Sequence, residues 1–440
     1  MRLLRLCSAL LVVLVTAGCD PAMCPTGTIA RGGRCVDPPD ASASDAALPD
    51  DAGGETRDGA QGDAGVSGPI QAVALREGAA AVGVSVVFHD ADGNVLESGL
   101  TDVAGTSTST VAGVAGVTVI DQRRRGTEIH SVMGVVPNET ITFDLRGDSG
   151  ERLVEVLLPG ALTDAAEYEV FSPCNDDRDA DHSRPFVACG VEGMRVPVLA
   201  LALGHGGILG YGSAVAETAE TATAIAGWNT SFIDVALDVS WGTLTDGIVD
   251  VRTVPEHVGA PSLVISSYRE EPQRLTTIRD IPFPLVIVAS ASDADNVVLS
   301  IAEATSSSTI GTSGFAANLS SAPTIDTFEA DRSDPQSPEL RWTGSMSGAG
   351  TEAAAEFVYE RAGAPVVWTI HAAPSVRSVR VPRLPDAHAG LRVTPEVPAY
   401  SLSWHDGGAG LTWAAVRSHP LLPWTERTTR LSSATVSGTF

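Results

Sequence analysis

Residues 82–107 read VGVSVVFHDADGNVLESGLTDVAGTS. Val82, Val84, Val86 and Phe88 alternate with Gly83, Ser85, Val87 and His89. A period of two sends successive side chains to opposite faces of an extended chain, so this run predicts a strand. Asp92-Gly93 supplies a tight turn, and a second extended run follows. The same period returns along the chain. Ile141, Phe143 and Leu145 alternate with Thr142 and Asp144. Ile233, Val235, Leu237, Val239 and Trp241 alternate with Asp234, Ala236, Asp238 and Ser240. Tyr400, Leu402 and Trp404 alternate with Ser401 and Ser403 before the turn Asp406-Gly407-Gly408. Each pattern implies one buried and one wet face. Gly, Pro and Asp breaks between such runs are the spacing of β-sandwiches. The run SAVAETAETATAIA, 213–226, is the one helix candidate, and it lacks a clear apolar stripe.

After its second strand the opening stretch carries Thr101-Asp102-x-x-Gly105. With that corner, residues 69–147 resemble the carboxypeptidase regulatory-like (transthyretin-like) and bacterial Ig-like modules of exported proteins. The resemblance implies that the corner turns the chain between two strands. It also implies a β-sandwich spacer or interaction module rather than a peptidase. The expected fold is therefore mainly β, with tandem β-sandwich (Ig-like/transthyretin-like) domains after a disordered linker. Residues 148–245 are read as a β-rich domain with a disulfide loop, and 246–440 as a β-rich C-terminal domain.

The first eighteen residues form an export signal. Arg2 and Arg5 precede an apolar core, Leu10 to Val15, too short to span a bilayer as a mature helix. Ala17-Gly18-Cys19 resembles the bacterial lipobox, which implies a diacylglycerol joined to Cys19 and an acylated new amine. Several acyl chains, each CH₂ worth about 0.8 kcal/mol when buried, would anchor the chain firmly. The partner implied at this end is the membrane of a bacterial cell envelope. Residues 19–35 contain CPTGTIARGGRC, read as a small stapled hairpin, and 36–68 are nearly all Asp, Ala, Gly, Ser and Pro. Eight acids against Arg57 give this stretch a net charge of −7. It holds too little apolar surface to offset ordering entropy, so it reads as a disordered linker with a mean reach of ~30 Å.

The 440 residues carry a formal net charge of −26, and all 28 basic residues are Arg. The absence of Lys removes Schiff-base chemistry and a phosphate-loop lysine. A chain this acidic is a poor partner for nucleic acid. Of six cysteines, Cys7 leaves with the signal and Cys19 takes lipid, which leaves Cys24, Cys35, Cys174 and Cys189. An even remainder in an exported chain reads as disulfides. Three connectivities exist, and short loops favour Cys24 with Cys35 and Cys174 with Cys189. A loop of about fifteen residues is worth about 3 kcal/mol in the chain-entropy account. Neither pair has the C-x₂-C spacing of a zinc site.

Candidate chemistry is sparse. GDSG, 147–150, lacks the surroundings of a trypsin-like nucleophile and reads as a hairpin turn. Asp177, Asp179 and Asp181 have the spacing that begins a calcium loop, but His182 stands where that loop needs Gly and Ala188 where it needs Glu. A looser Ca²⁺ site there stays open beside a solvated loop. Nine scattered histidines, none in an H-x-H or H-E-x-x-H pattern, read mostly as surface or turn residues. GHGGILGYGSA, 204–214, reads as turns. Trp368, Trp404, Trp413 and Trp424 read as core, with a sugar-stacking platform as the alternative. The expected function is a membrane-anchored envelope lipoprotein acting as a non-enzymatic structural, adhesion or interaction protein toward a protein or polysaccharide. The alternatives are a carbohydrate-binding or glycan-acting protein, and a hydrolase with its site assembled from distant loops.

Overall fold

The computed structural model describes residues 29–31, 34–36 and 68–439 apart from short internal intervals, the longest being 254–263. The chain is mainly β. Its dominant element is a sheet of twelve strands: β1 Ser85–His89, β2 Val95–Leu100, β3 Gly116–Arg123, β4 Gly126–Met133, β5 Thr245–Thr253, β6 Val264–Arg269, β7 Pro284–Ser292, β8 Val298–Ser306, β9 Glu352–Arg361, β10 Ala364–Ala372, β11 Ala399–Asp406 and β12 Arg430–Thr439. Their order across the sheet is β6-β5-β7-β8-β12-β11-β9-β10-β4-β3-β1-β2. Every neighbouring pair is antiparallel except β4 with β10, which run parallel from Thr127 opposite Val366 to Val132 opposite His371. That parallel pair is a seam. It joins strands of the 69–147 module to strands from the far end of the chain.

One face of the sheet is apolar along its length. Val87, Ile129, Ile287, Ile301, Phe357, Trp368, Leu402 and Trp404 belong to a single core. Three smaller sheets, one of strands within 167–217, one of Ile233–Ser240, Arg274–Thr277 and Phe315–Asn318, and one of Thr324–Asp331, Glu339–Ser345 and Ser378–Arg380, lie against it, contributing Leu199, Val235 and Leu340 to the same core. The other face carries two apolar clusters, one toward each end. At one end the strands Ile70–Arg76 and Thr140–Leu145 supply Ala72, Ile141 and Phe143 against Val86, Phe88, Val117 and Val119. These strands pack face to face around a core of their own. At the other end the β11–β12 connection carries Leu411, Val416 and Trp424 onto Val286, Val288 and Ala302. A further sandwich spans 151–225, with Val156, Val170, Phe186 and Val198 inside.

The period-two runs form strands over Ser85–His89, Thr140–Leu145, Ile233–Ser240 and Ala399–Asp406, whereas Val82-Gly83, expected in the first of them, is a turn with Val82 exposed. Thr101 fixes the corner: its hydroxyl donates to the Ala81 carbonyl at 2.6 Å and accepts from the Val84 amide at 2.9 Å. Asp102 Oδ1 accepts from the amides of Ala104 and Thr106. Gly105 has φ 74°, and a Cβ there would lie 2.5 Å from the Ala74 carbonyl oxygen, so only glycine fits. Two more expectations are corrected. β1 has no wet face, since Val87 and His89 are as buried as Val86 and Phe88. The sheet is covered on both sides there. The 213–226 segment is not helical: Gly207–Glu217 is a strand on Arg195–Gly204, and Ala222–Ala224 pairs with Glu151–Leu157. Alanine-rich sequence without an apolar stripe has little to gain as a helix, and long-range pairing, with Ala216 buried, prevails.

Candidate functional site

Between these two clusters, the second face of the long sheet carries a largely buried strip that is polar rather than apolar. β9 contributes Glu352 and Glu356, β10 contributes Thr369 and His371, and β11 contributes Ser401, Ser403 and His405. β4 adds Glu128 and His130. The register sets them in rows. Glu352 stands opposite His405, and Glu356 opposite both Ser401 and Thr369, with Thr369 opposite His130.

Glu352 is the centre of the strip. Its two carboxylate oxygens accept from His371 Nδ1 at 2.8 Å and His405 Nδ1 at 3.0 Å. One carboxylate therefore ties three adjacent strands together. Its side chain is 15% exposed. Burial pushes that carboxyl up, but the bonds and charge of His371, then of His405, outweigh it and hold the group well below the usual carboxylate range. Glu356 has no such clamp. Burial, and then the charge of Glu128, push its carboxyl up to about 7. Glu128 lies 3.4 Å from His130 Nε2 and 3.1 Å from the Arg123 guanidinium. His130 is driven below its ordinary value by burial, against the opposing pull of Glu128.

The apolar face holds its own polar chain. His89 Nε2 meets Thr118 Oγ1 at 2.8 Å, Thr118 meets Ser131 Oγ at 2.7 Å, and Trp368 Nε1 donates to Ser131 Oγ at 2.8 Å. This chain runs across β1, β3, β4 and β10. Burial lowers the His89 pKa to about 4, so the ring is neutral near pH 7.

The residues singled out by sequence fall elsewhere. Cys19, Cys24 and Cys174 lie outside the described residues, and of Cys35 and Cys189 only the backbone is described, opposite Ala30 and Leu153. The 147–150 turn also lies outside them. Asp177 Oδ2 accepts from the Val187 amide at 2.7 Å, Asp179 Oδ1 from the Asp181 amide at 3.0 Å, and Asp181 Oδ1 from the Ser183 amide at 2.9 Å. These bonds stitch a strand edge and two turns. Among the described residues no group of three His, Cys, Asp or Glu is arranged to hold a metal ion. In the glycine-rich 204–214 segment, a Cβ on Gly212 would meet Ile225 at 2.4 Å, so this glycine admits a packed neighbour. Trp368 and Trp404 are each 1% exposed, Trp424 is buried and Trp413 half-buried. Trp404 Nε1 donates to the Pro374 carbonyl, and Arg377 stacks 4.3 Å above its ring. Four histidines depart from the surface-or-turn expectation: His89, His130 and His371 are buried, and His405 is half-buried. A signal was present in Glu128-Ile-His130, Thr369-Ile-His371 and Ser403-Trp-His405. In each, two polar residues flank an apolar one, which puts both on one strand face.

No protein-family model matches the chain, and no curated protein matches it. Among solved structures, that of the chicken CNTN1 FN1-FN3 domains is similar to it at 9% identity and a TM-score of 0.16, over 66% of this chain and 98% of that one. A likeness so slight carries no inference about topology or function.

Proposed function

We propose that this protein is an exported envelope lipoprotein whose folded body serves as a non-catalytic structural or interaction element held to a membrane by lipid on Cys19. The anchoring part rests on the basic start, the apolar run and Ala17-Gly18-Cys19. The observation that carries the non-catalytic part is the internal engagement of the aromatic and titratable side chains. Trp368 and Trp404 direct their indole N–H groups at Ser131 and Pro374 inside the fold. His371 and His405 direct Nδ1 at Glu352. Groups so committed hold strands in register. A sugar-stacking platform needs open aromatic faces instead.

Metabolic labelling with a tagged fatty acid tests the anchor. Wild type is expected to take up label and sediment with membranes. Cys19→Ala is expected to take up none and to appear in the soluble fraction. An unlabelled wild type, or equal labelling of the variant, overturns the reading.

A further inference from the structure

Strand β2 ends the long sheet. Among the described residues it pairs with β1 on one side and with no strand on the other. The nearby strand Thr106–Ser109 pairs with Ile70–Arg76 instead. The Thr101 amide donates to the Val84 carbonyl at 2.9 Å, which makes Val84 and Thr101 a hydrogen-bonded pair. Such pairs alternate with unbonded ones along an antiparallel ladder, so Gly99 and Glu97 turn their backbone groups to Val86 and Phe88 of β1. The N–H and C=O groups of Ser98 and Leu100 therefore point away from the sheet. Leu96 is the extra residue of a bulge, between Glu97 opposite Phe88 and Val95 opposite His89.

The side chains at this edge suit a partner. Leu100 is 63% exposed, Leu96 37%, and Val103 in the adjoining corner 87%. Glu97 is the one charged residue of β2, and it turns inward, where its carboxylate accepts from the buried Ser109 hydroxyl. An open edge with exposed leucines and no outward charge is a template for another strand. We propose that β2 pairs antiparallel with β2 of a second copy of this chain, about a two-fold axis at Ser98. This register sets Ser98 against its counterpart, and Leu96 of each copy against Leu100 of the other. It joins outward-facing backbone groups and buries both leucines in cross-strand pairs. Such self-complementarity is what a two-fold dimer requires, and it favours a second copy over an unrelated extended peptide. The contact is one short ladder, so the dimer is weak and reversible. The pairing gives the interaction role a partner and rests on that part of the proposed function, not on lipid at Cys19.

Ser98→Cys tests the register. The two-fold axis brings the two substituted residues to a Cα separation of about 5.5 Å, within reach of a disulfide. The purified full chain is oxidised with copper-phenanthroline at ~0.15 M salt, which screens the repulsion between two chains of charge −26. Linked dimer, above the wild-type background from native cysteines, is expected to form roughly tenfold or more faster from Ser98→Cys than from Leu153→Cys, a site 66% exposed on another sheet. Equal rates overturn the pairing. Sedimentation equilibrium supplies the second measurement. The mass of wild type is expected to rise with concentration toward that of a dimer, while Leu100→Arg stays monomeric. A wild type monomeric at every concentration, or a dimer that Leu100→Arg leaves intact, overturns the pairing whatever the labelling of Cys19 shows.

Discussion

The two faces of strands β9, β10 and β11 are made from the same residues in alternation and behave as different materials. One face presents Ala353, Ala355 and Phe357, then Val366, Trp368 and Ile370, then Leu402 and Trp404, all buried in one core. The opposite face presents Glu352, Glu356, Thr369, His371, Ser403 and His405. Packing against three further sheets makes the first face cohesive without direction. The second is half-covered, so each polar group there must find a specific partner or lose solvation. Glu352 does so through two imidazoles, while burial and then the Glu128 charge push the Glu356 carboxyl up to about 7. The apolar face thus carries bulk stability, while the polar face carries register and pH response.

Substitutions can break or sharpen this contrast. The largest effect is expected from Trp368→Ala on the apolar face, a loss of about 3–5 kcal/mol in denaturant unfolding, since a fully buried indole and its bond to Ser131 go together. A loss under about 1 kcal/mol would move the seat of stability elsewhere. Next comes His89, the titratable group enclosed by that face. Its folded value of about 4 lies below the ordinary 6.5, so the unfolded chain takes up the proton first. Stability is therefore lost as pH falls from 6.5 toward about 4, by about 3 kcal/mol from this group. His89→Gln is expected to flatten that limb of a stability–pH curve, and an unchanged limb would refute the assignment.

On the polar face, Glu352→Gln is expected to cost about 2 kcal/mol at pH 7, because two imidazole donors lose their shared charged acceptor. The native carboxyl is held below its ordinary 4.5, so its contribution is present above that value and fades as pH falls through the lowered one. The variant is expected to lack this acid-side fading in thermal melts. The smallest effect is expected from Ser403→Ala, about 0.5–1 kcal/mol, through the Ser403–Thr435 hydroxyl contact at 3.0 Å. If that change rivalled Trp368→Ala, the two faces would not differ as described.

Much of the fold was legible because alternation is a local property. The burial of Val235 and Leu237, of Ile141 and Phe143, and of Leu402 and Trp404 follows from reading every second residue. The Thr101–Gly105 corner was legible as well, since its bonds close within a few turns of chain. The polar strip was not. Glu128, Glu356, His371 and His405 come from four strands whose order across the sheet differs from their order along the chain. Polar-x-His triplets mark a face, but nothing local says that β4 lies beside β10, or that β12 inserts between β8 and β11.

A linear chain can therefore declare which residues avoid water, where it turns and how strongly it is charged, because each depends on near neighbours or on sums. Which side chains meet depends on contacts far apart along the chain, 53 residues between Glu352 and His405 and 237 between Ser131 and Trp368. Such contacts are settled when strands compete for partners and the whole apolar layer closes at once. Glu352 and Glu356, four residues apart on one strand face, are thereby driven in opposite directions: two imidazoles hold the first well below the usual carboxylate range, and burial with the Glu128 charge pushes the second up to about 7.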